Sequence, residues 1–384
     1  MVAAVRAGQS QRAVARRFKV PLRGVQYWLE RAAGQPLHAV DWADRSSAPH
    51  QPALRTSAAM ERRVVAARHE LQQSPLGFVG AEAIAEALAE GPGAHWPSVR
   101  TIGRILHRYG LLDGRRRTRQ LAPPPGWYLP DVAAARAELD LCDVVEDLRI
   151  EGGPLVSILT TRALWGPTLG AWPAENLSAR FVLQTLQRHW SGHGLPDYVQ
   201  FDNDTRFQGP HSHPDVLGRV IRFCLSLEVT PVFAPPAEHG FQNANESFNS
   251  LWLAKVWHRF HHASLAALRT ASARFVQAYY ARRRRRIERA PRRHPWPTGW
   301  QLDLQARPRG QVLFLRRTDE HGQVSVLGHR WTVDPCWSHR LVRAEVDLDR
   351  GQIRFYALRR KAPQEQRLLK TAAYKFPHRK FHTD

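Results

Sequence analysis

Apolar positions over residues 1–33 recur at helical spacing and are interrupted once. Ser10 stands in capping position before a helix carrying Val14, Ala15 and Phe18. A turn at Lys19-Val20-Pro21 follows, and Leu22, Val25, Trp28 and Leu29 resume the stripe. Two short helices around a tight turn, with Arg23, Gln26 and Arg31 on the outer face, predict either a helix-turn-helix over 1–34, whose second helix enters a major groove, or a plain helical hairpin that binds nothing. Residues 35–58 lose the period and read as a linker. A second helical unit, helix-turn-helix or winged-helix-like, spans 59–120. In it Val99, Ile102, Ile105 and Leu106 form a stripe, while Arg100, Arg104 and Arg108 recur every four residues on a neighbouring face, as phosphate contacts would. The prolines of 121–130 predict a stiff linker.

Beyond the linker the period changes. Strands are expected near 137–144, 154–161, 167–172, 197–201 and 229–233, with helices near 177–191, 214–228, 238–257 and 264–283. Three strands followed by alternating helices and strands imply one mixed sheet with helices packed on it, an α/β domain over 131–290. Residues 310–365 alternate between turns and predict a small antiparallel β-barrel. The fold class is therefore multidomain: all-α helix-turn-helix units, an α/β core and a C-terminal barrel.

Charge narrows the partners. The 384 residues carry 56 Lys+Arg against 34 Asp+Glu, a net +22, which favours a polyanion and above all nucleic acid. The dense runs at 114–119 and 282–289, the latter holding Arg283, Arg284 and Arg285, lie between periodic segments and read as edges of DNA-facing domains. No apolar run approaches the roughly 18–20 residues that span a bilayer, and no signal-peptide pattern opens the chain, so a soluble cytoplasmic protein with no membrane partner is expected. Cys142, Cys224 and Cys336 are too scattered for a disulfide framework or a CxxC metal site.

Three acids occupy places where an unpaired carboxylate is odd. Asp140 lies between Leu139 and Leu141 on the first core strand, where burial demands a partner arginine or a metal. Asp202 follows the strand-like Tyr198-Val199-Gln200-Phe201, although Asp202-Asn203-Asp204 is also ordinary turn chemistry. Glu246 sits on a helix made polar on one side by Gln242, Asn249 and Ser250. Carboxylates without cysteines suit a hard cation, and two magnesium ions between them leave room for a phosphodiester. His258, His261 and His262 fall on different helix faces and make no zinc site, and His211 and His213, near Asp202 in sequence, read either as substrate contacts or as solvated loop residues.

"ELD" at 138–140, "FDNDTRF" at 201–207 and "PPAEHGFQNANESFN" at 235–249 resemble the three acid motifs of integrase-core (DDE) transposases of bacterial insertion sequences, relatives of retroviral integrases and of phage Mu transposase. The resemblance implies a ribonuclease H-like core in which Asp140, Asp202 and Glu246 are the catalytic, metal-binding triad. It implies Mg2+ or Mn2+, two ions, and a reaction in which water cuts the element's end and the freed 3′ hydroxyl attacks target DNA. The N-terminal helices would read terminal inverted repeats, the protein would assemble as a homo-oligomer on double-stranded DNA, and its setting would be the bacterial nucleoid. Because strand side chains alternate faces, only one of Asp140 and Asp143 can face this site; the "ELD" motif and the apolar neighbours select Asp140 and leave Asp143 as a surface acid.

Departures from the family pattern are Asp204 where glycine is usual, a longer spacing that includes "GPHSHPD" at 209–215, and "TTRALW" at 160–165 in place of an aspartate before a Ser-Arg pair. Asp204 supports a rival reading, an inactive integrase-like DNA-binding regulator or assembly protein. A second rival is a structure-specific nuclease that cuts and never joins.

Overall fold

A computed structural model describes residues 1–44, 56–91, 95–112, 123–210, 214–236, 238, 240–377 and 381. They divide into two compact units, Met1–Glu61 and Arg62–Asp384.

The first unit contains helices α1 (Val2–Arg6), α2 (Gln11–Phe18) and α3 (Leu22–Arg31). Ser10 caps α2 by accepting the Ala13 N–H at 3.2 Å, and Lys19 turns the chain in the left-handed region at φ 53°. Val14, Ala15 and Val25 interlock α2 and α3. Leu37 and Val40 still pack against Trp28 and Leu29, so the expected linker starts later than residue 35. Residues 45–55 of that linker lie outside the described residues.

In the second unit α4 (Ala58–Gln73, entering from the first), α5 (Ala81–Glu90) and α6 (Val99–Arg108) close around Val64, Ile84, Leu88, Ile102 and Ile105. The run at 114–119 lies outside the described residues. The described part of the proline segment is not a free linker: Trp127, Tyr128 and Leu129 are buried against Phe241, Leu139 and Leu141. Two aromatic rings bring too much apolar surface to remain in water, and they override the prolines' preference for an extended spacer. A short helix α7 (Pro130–Ala133) leads into the sheet.

That sheet is built from β1 (Leu139–Arg149), β2 (Leu155–Ala163), β3 (Leu169–Ala174), β4 (Tyr198–Phe201) and β5 (Thr230–Phe233). Interleaved are α8 (Ala179–His193), α9 (Thr205–Gln208), α10 (Arg219–Ser226), α11 (Asn243–Trp252), continued by one π-helical turn to Trp257, and α12 (Leu265–Arg286). β1, β2 and β3 form an antiparallel meander, and β4 and β5 add in parallel on the other side of β1. One face carries α8 and α10 over Val182, Leu186, Trp190 and Phe223; the other carries α11 and α12 over Phe248, Trp252 and Phe275.

The C-terminal strands correct the expected barrel. β6 (Gln311–Arg317), β9 (Leu341–Asp347), β10 (Gln352–Leu358) and β11 (Leu368–Ala373) extend the same sheet, whose order is β11-β10-β9-β6-β5-β4-β1-β2-β3; β7 (Gln323–Val326) and β8 (His329–Thr332) form a separate hairpin. No closed barrel is present among the described residues. The cause is legible in β6, where Val312, Leu313, Phe314 and Leu315 are consecutively buried. A strand apolar on both faces belongs inside a covered sheet, and β6 pairs in parallel with β5 through Val232–Leu313 and Phe233–Phe314.

Candidate active site

The register between β1 and β4 decides which acids meet. Leu139 pairs with Tyr198, Asp140 with Val199 and Leu141 with Gln200 in a parallel ladder. Residues level across a parallel pair point to the same face. Val199 is buried on the α8 side, so Asp140 points there too. Two residues beyond Leu141 and Gln200 come Asp143 and Asp202, level with each other and on the α11 side.

Asp140 is fully buried and takes no part in that cluster. Its two oxygens accept from Arg293 Nη1 and Nη2, both at 2.8 Å, and Oδ2 also accepts the Trp190 indole N–H at 2.9 Å. Burial alone would raise its pKa, but the charge and hydrogen bonds of Arg293 outweigh that and hold it below the usual carboxylate range. Arg293 is also anchored through Nε to the Gly194 carbonyl, and His294 exchanges backbone bonds with Leu195. The pair thus clips the segment after α12 to the sheet.

Asp143, expected on the surface, faces Asp202 and Glu246. Burial first, then the charges of Asp202 and Glu246, push its carboxyl up to about 6. α11 docks beside it through amides: Asn249 Nδ2 donates to Asp143 Oδ2 at 2.9 Å, and Asn249 Oδ1 accepts from the Thr160 hydroxyl at 2.8 Å. Asp202 is raised as well, by burial first and then by Asp204 and Glu146, while its Oδ1 accepts the Asp204 N–H at 3.1 Å. Glu246 lies exposed in the first turn of α11. Asp202 and Glu246 open onto a cleft of about 360 Å³ shared with Asn203 and Gln242.

A buried network sets the approach to α11. Tyr128 donates to Gln200 Oε1, and both Tyr128 and the Gln200 amide donate to the Phe241 carbonyl, at 3.3 and 3.0 Å. Asp204, the departure at the motif's turn, lines the same cleft and is paired there with Arg206. It caps α9 through the Arg206 N–H at 2.7 Å and accepts from Arg206 Nε at 2.8 Å, while Arg206 reaches Glu146 at 2.5 Å. Among the described residues no three His, Cys, Asp or Glu side chains stand close enough to hold one ion as placed.

Arg23 and Gln26 are exposed on α3, and Arg100, Arg104 and Arg108 are exposed on α6. Arg31 does not share their position: its side chain is only 6% exposed and its guanidinium donates to Asp41 at 3.1 Å and lies over Trp28.

The arginine run ends α12 and meets protein. Arg282 pairs with Glu86, Arg285 with Glu90 and Arg286 with Glu82, at 3.2, 2.5 and 2.8 Å, while Arg283 donates to the Gly166 and Ala163 carbonyls. Arg284 alone of the three expected DNA contacts there is exposed without a described ion pair. Glu82, Glu86 and Glu90 recur every four residues, so α5 presents them in one row, and that row was the overlooked sequence signal. Next to this seam Arg259 Nη2 bonds the Gln72 and Ser74 carbonyls, both at 2.9 Å. Gly77 makes the close approach possible, with φ 56° and no room for a Cβ against Arg259. Replacing the three glutamates by glutamine is expected to release arginines to DNA and to steepen the salt dependence of binding to an unrelated duplex by about 0.9 per arginine released. Fluorescence anisotropy across a salt series measures it; an unchanged slope would show that these arginines do not reach DNA.

No protein-family model matches this chain, and no curated protein matches it. Among solved structures, a chain from a cryo-EM structure of the simian T-cell lymphotropic virus intasome in complex with PP2A regulatory subunit B56 gamma aligns at 12% identity and a TM-score of 0.32, over 71% of this chain and 92% of that chain. Among the described residues, no helix is long and apolar enough to cross a membrane.

Proposed function

We propose that this protein is a DNA-cleaving and strand-transferring enzyme of the integrase-core type, a transposase, with Asp143 in the place the sequence motif gave to Asp140. The observation that carries the reading is the meeting of Asp143, Asp202 and Glu246 from β1, the end of β4 and α11, close enough for their charges to raise the Asp143 carboxyl. Like charges gathered at a sheet's end are costly unless a cation or a proton joins them. An all-oxygen donor set fits Mg2+ or Mn2+ rather than a soft metal. Asp143, Asp202 and Glu246 would hold the ions, two in the reading from the resemblance, and the bound metal supplies charge compensation to an in-line phosphoryl displacement.

The chain's own groups do the positioning. Asn249 holds one Asp143 oxygen and the Val144 N–H holds the other, each at 2.9 Å, which fixes the carboxyl's orientation. The Tyr128–Gln200–Phe241 bonds fix the turn that delivers Glu246. Arg206 offsets part of the charge of the extra acid at the turn, while Asp204 still acts on Asp202, so the inactive regulator stays the alternative reading. Exposed Arg23 and Gln26 read terminal repeats, Arg100, Arg104 and Arg108 hold phosphates, and the active species on double-stranded DNA is a homo-oligomer.

The test is incubation of the full chain with labelled DNA carrying the flanking terminal repeats and Mg2+. Cut and joined products support the reading. Cuts without joining favour a nuclease, and tight binding without cuts favours a regulator. In the same assay Arg23→Ala should lose about 1–3 kcal/mol and relax preference at one base, while Arg104→Ala should weaken all sequences alike. Equal losses on repeat and unrelated DNA for Arg23→Ala would exclude base reading there.

A further inference from the structure

A cavity of about 730 Å³ lies along the β3 edge of the sheet, lined by β3, α8 and α12, and it shares no lining residue with the carboxylate cleft. Its size falls in the range that takes a nucleotide-sized ligand. Rings form a continuous row along it: Trp172 to His189 at 5.1 Å, His189 to His193 at 4.9 Å and His193 to Tyr280 at 5.7 Å between centroids. His189 is buried, and burial pushes its pKa down to about 3, so the row presents neutral rings rather than a cation at its centre. Arg188 and Arg269 supply the charge, and no carboxylate lines the cavity.

The sheet edge itself is already closed. Arg269 Nε donates to the Pro173 carbonyl at 3.0 Å, and the Ser272 hydroxyl donates to the Ala171 carbonyl at 2.9 Å. An added β-strand would find those acceptors taken, so the cavity takes a ligand through rings and cations rather than through backbone pairing. Flat rings, two arginines and no acid, in a chain of net charge +22, match one chemistry: an aromatic base joined to a phosphate.

We propose that this cavity binds a nucleotide, its base against the Trp172–Tyr280 ring row and its phosphate on Arg188 and Arg269. Within a DNA duplex a base has no open face, so the strand-borne ligand is an unpaired nucleotide, in a tail or everted from the helix. The site does not rest on the carboxylate reading and stands or falls separately from cleavage.

The experiment uses the full chain without divalent metal. Binding of a labelled duplex with a short single-stranded thymidine tail is compared with the same duplex blunt-ended. The tail is expected to tighten binding by about tenfold, as one stacked base does. The double variant His193→Ala/Tyr280→Ala and the variant Arg188→Ala, both checked for an unchanged melting temperature, are expected to lose that preference and keep blunt-duplex affinity. Displacement of the tail by thymidine monophosphate would assign the site to free nucleotides as well; resistance to displacement with the preference retained would assign it to strands. A tail preference that survives both variants, or no preference in the parent protein, overturns the proposal. So does loss of concentration-dependent self-association in the variants with tail binding intact, because a second copy of the chain would then be the occupant.

Discussion

Asparagine at position 140 is expected to destabilise the protein by about 3–5 kcal/mol, because removing one member of a buried ion pair leaves the other uncompensated. Asp140 and Arg293 have side chains only 1% and 12% exposed, and an asparagine oxygen satisfies at most part of what the guanidinium and the Trp190 N–H now share. Urea unfolding of Asp140→Asn beside the parent measures it. The double replacement Asp140→Leu/Arg293→Met should recover much of the loss, since two apolar groups of similar volume often replace a buried pair at little net cost. A stability change below about 1 kcal/mol with complete loss of cleavage would return Asp140 to the catalytic site.

Asp143→Asn should act in the opposite direction on stability. A carboxyl whose folded-state pKa lies above its unfolded value contributes stability only in acid, below about pH 4, and withdraws it as pH rises through its folded value of about 6. At pH 7 the ionised Asp143 therefore weakens the fold, and asparagine, whose one oxygen can accept from Asn249 but not also from the Val144 N–H, should raise stability by roughly 1–2 kcal/mol at that pH and by none below about pH 4. Metal-dependent cleavage of repeat ends should meanwhile fall by about 10³-fold or more, the several kcal/mol that charge compensation supplies to a displacement. Full cleavage by Asp143→Asn, or a fold weakened at pH 7, would remove it from the site. Function and stability thus separate the two aspartates by sign.

Sequence pattern carried the elements further than their connections. The strands at 139–149, 155–163 and 169–174 and the helices at 179–193 and 265–286 lie close to where the pattern placed them, because the helices show an apolar stripe and the strands short apolar runs that are visible locally. Which face of β1 looks toward β4 was invisible, since register depends on a partner more than fifty residues away. The requirement that Asp140 find an arginine or a metal was legible, and the arginine existed, at position 293. The carboxylates at 202 and 246 were singled out by chemistry, whereas Asp143 was passed over because the "ELD" motif and the apolar neighbours Leu139 and Leu141 selected Asp140. The barrel expectation failed for a related reason: apolar and polar residues alternate in β9 and β10, but the four consecutive apolar residues of β6, Val312 to Leu315, signalled a strand covered on both faces.

The stitching of β6 onto β5 bears on how the chain can be divided. A polypeptide ended at residue 290 keeps all three carboxylates but removes Arg293 and β6, so it holds an orphaned anion beside Trp190 and uncovers Val232 and Phe233 along an open, apolar strand edge. The smallest piece that can fold around the carboxylates includes the C-terminal strands. What looks in the sequence like an appended DNA-holding module instead supplies four of the nine strands of the sheet that carries the carboxylates.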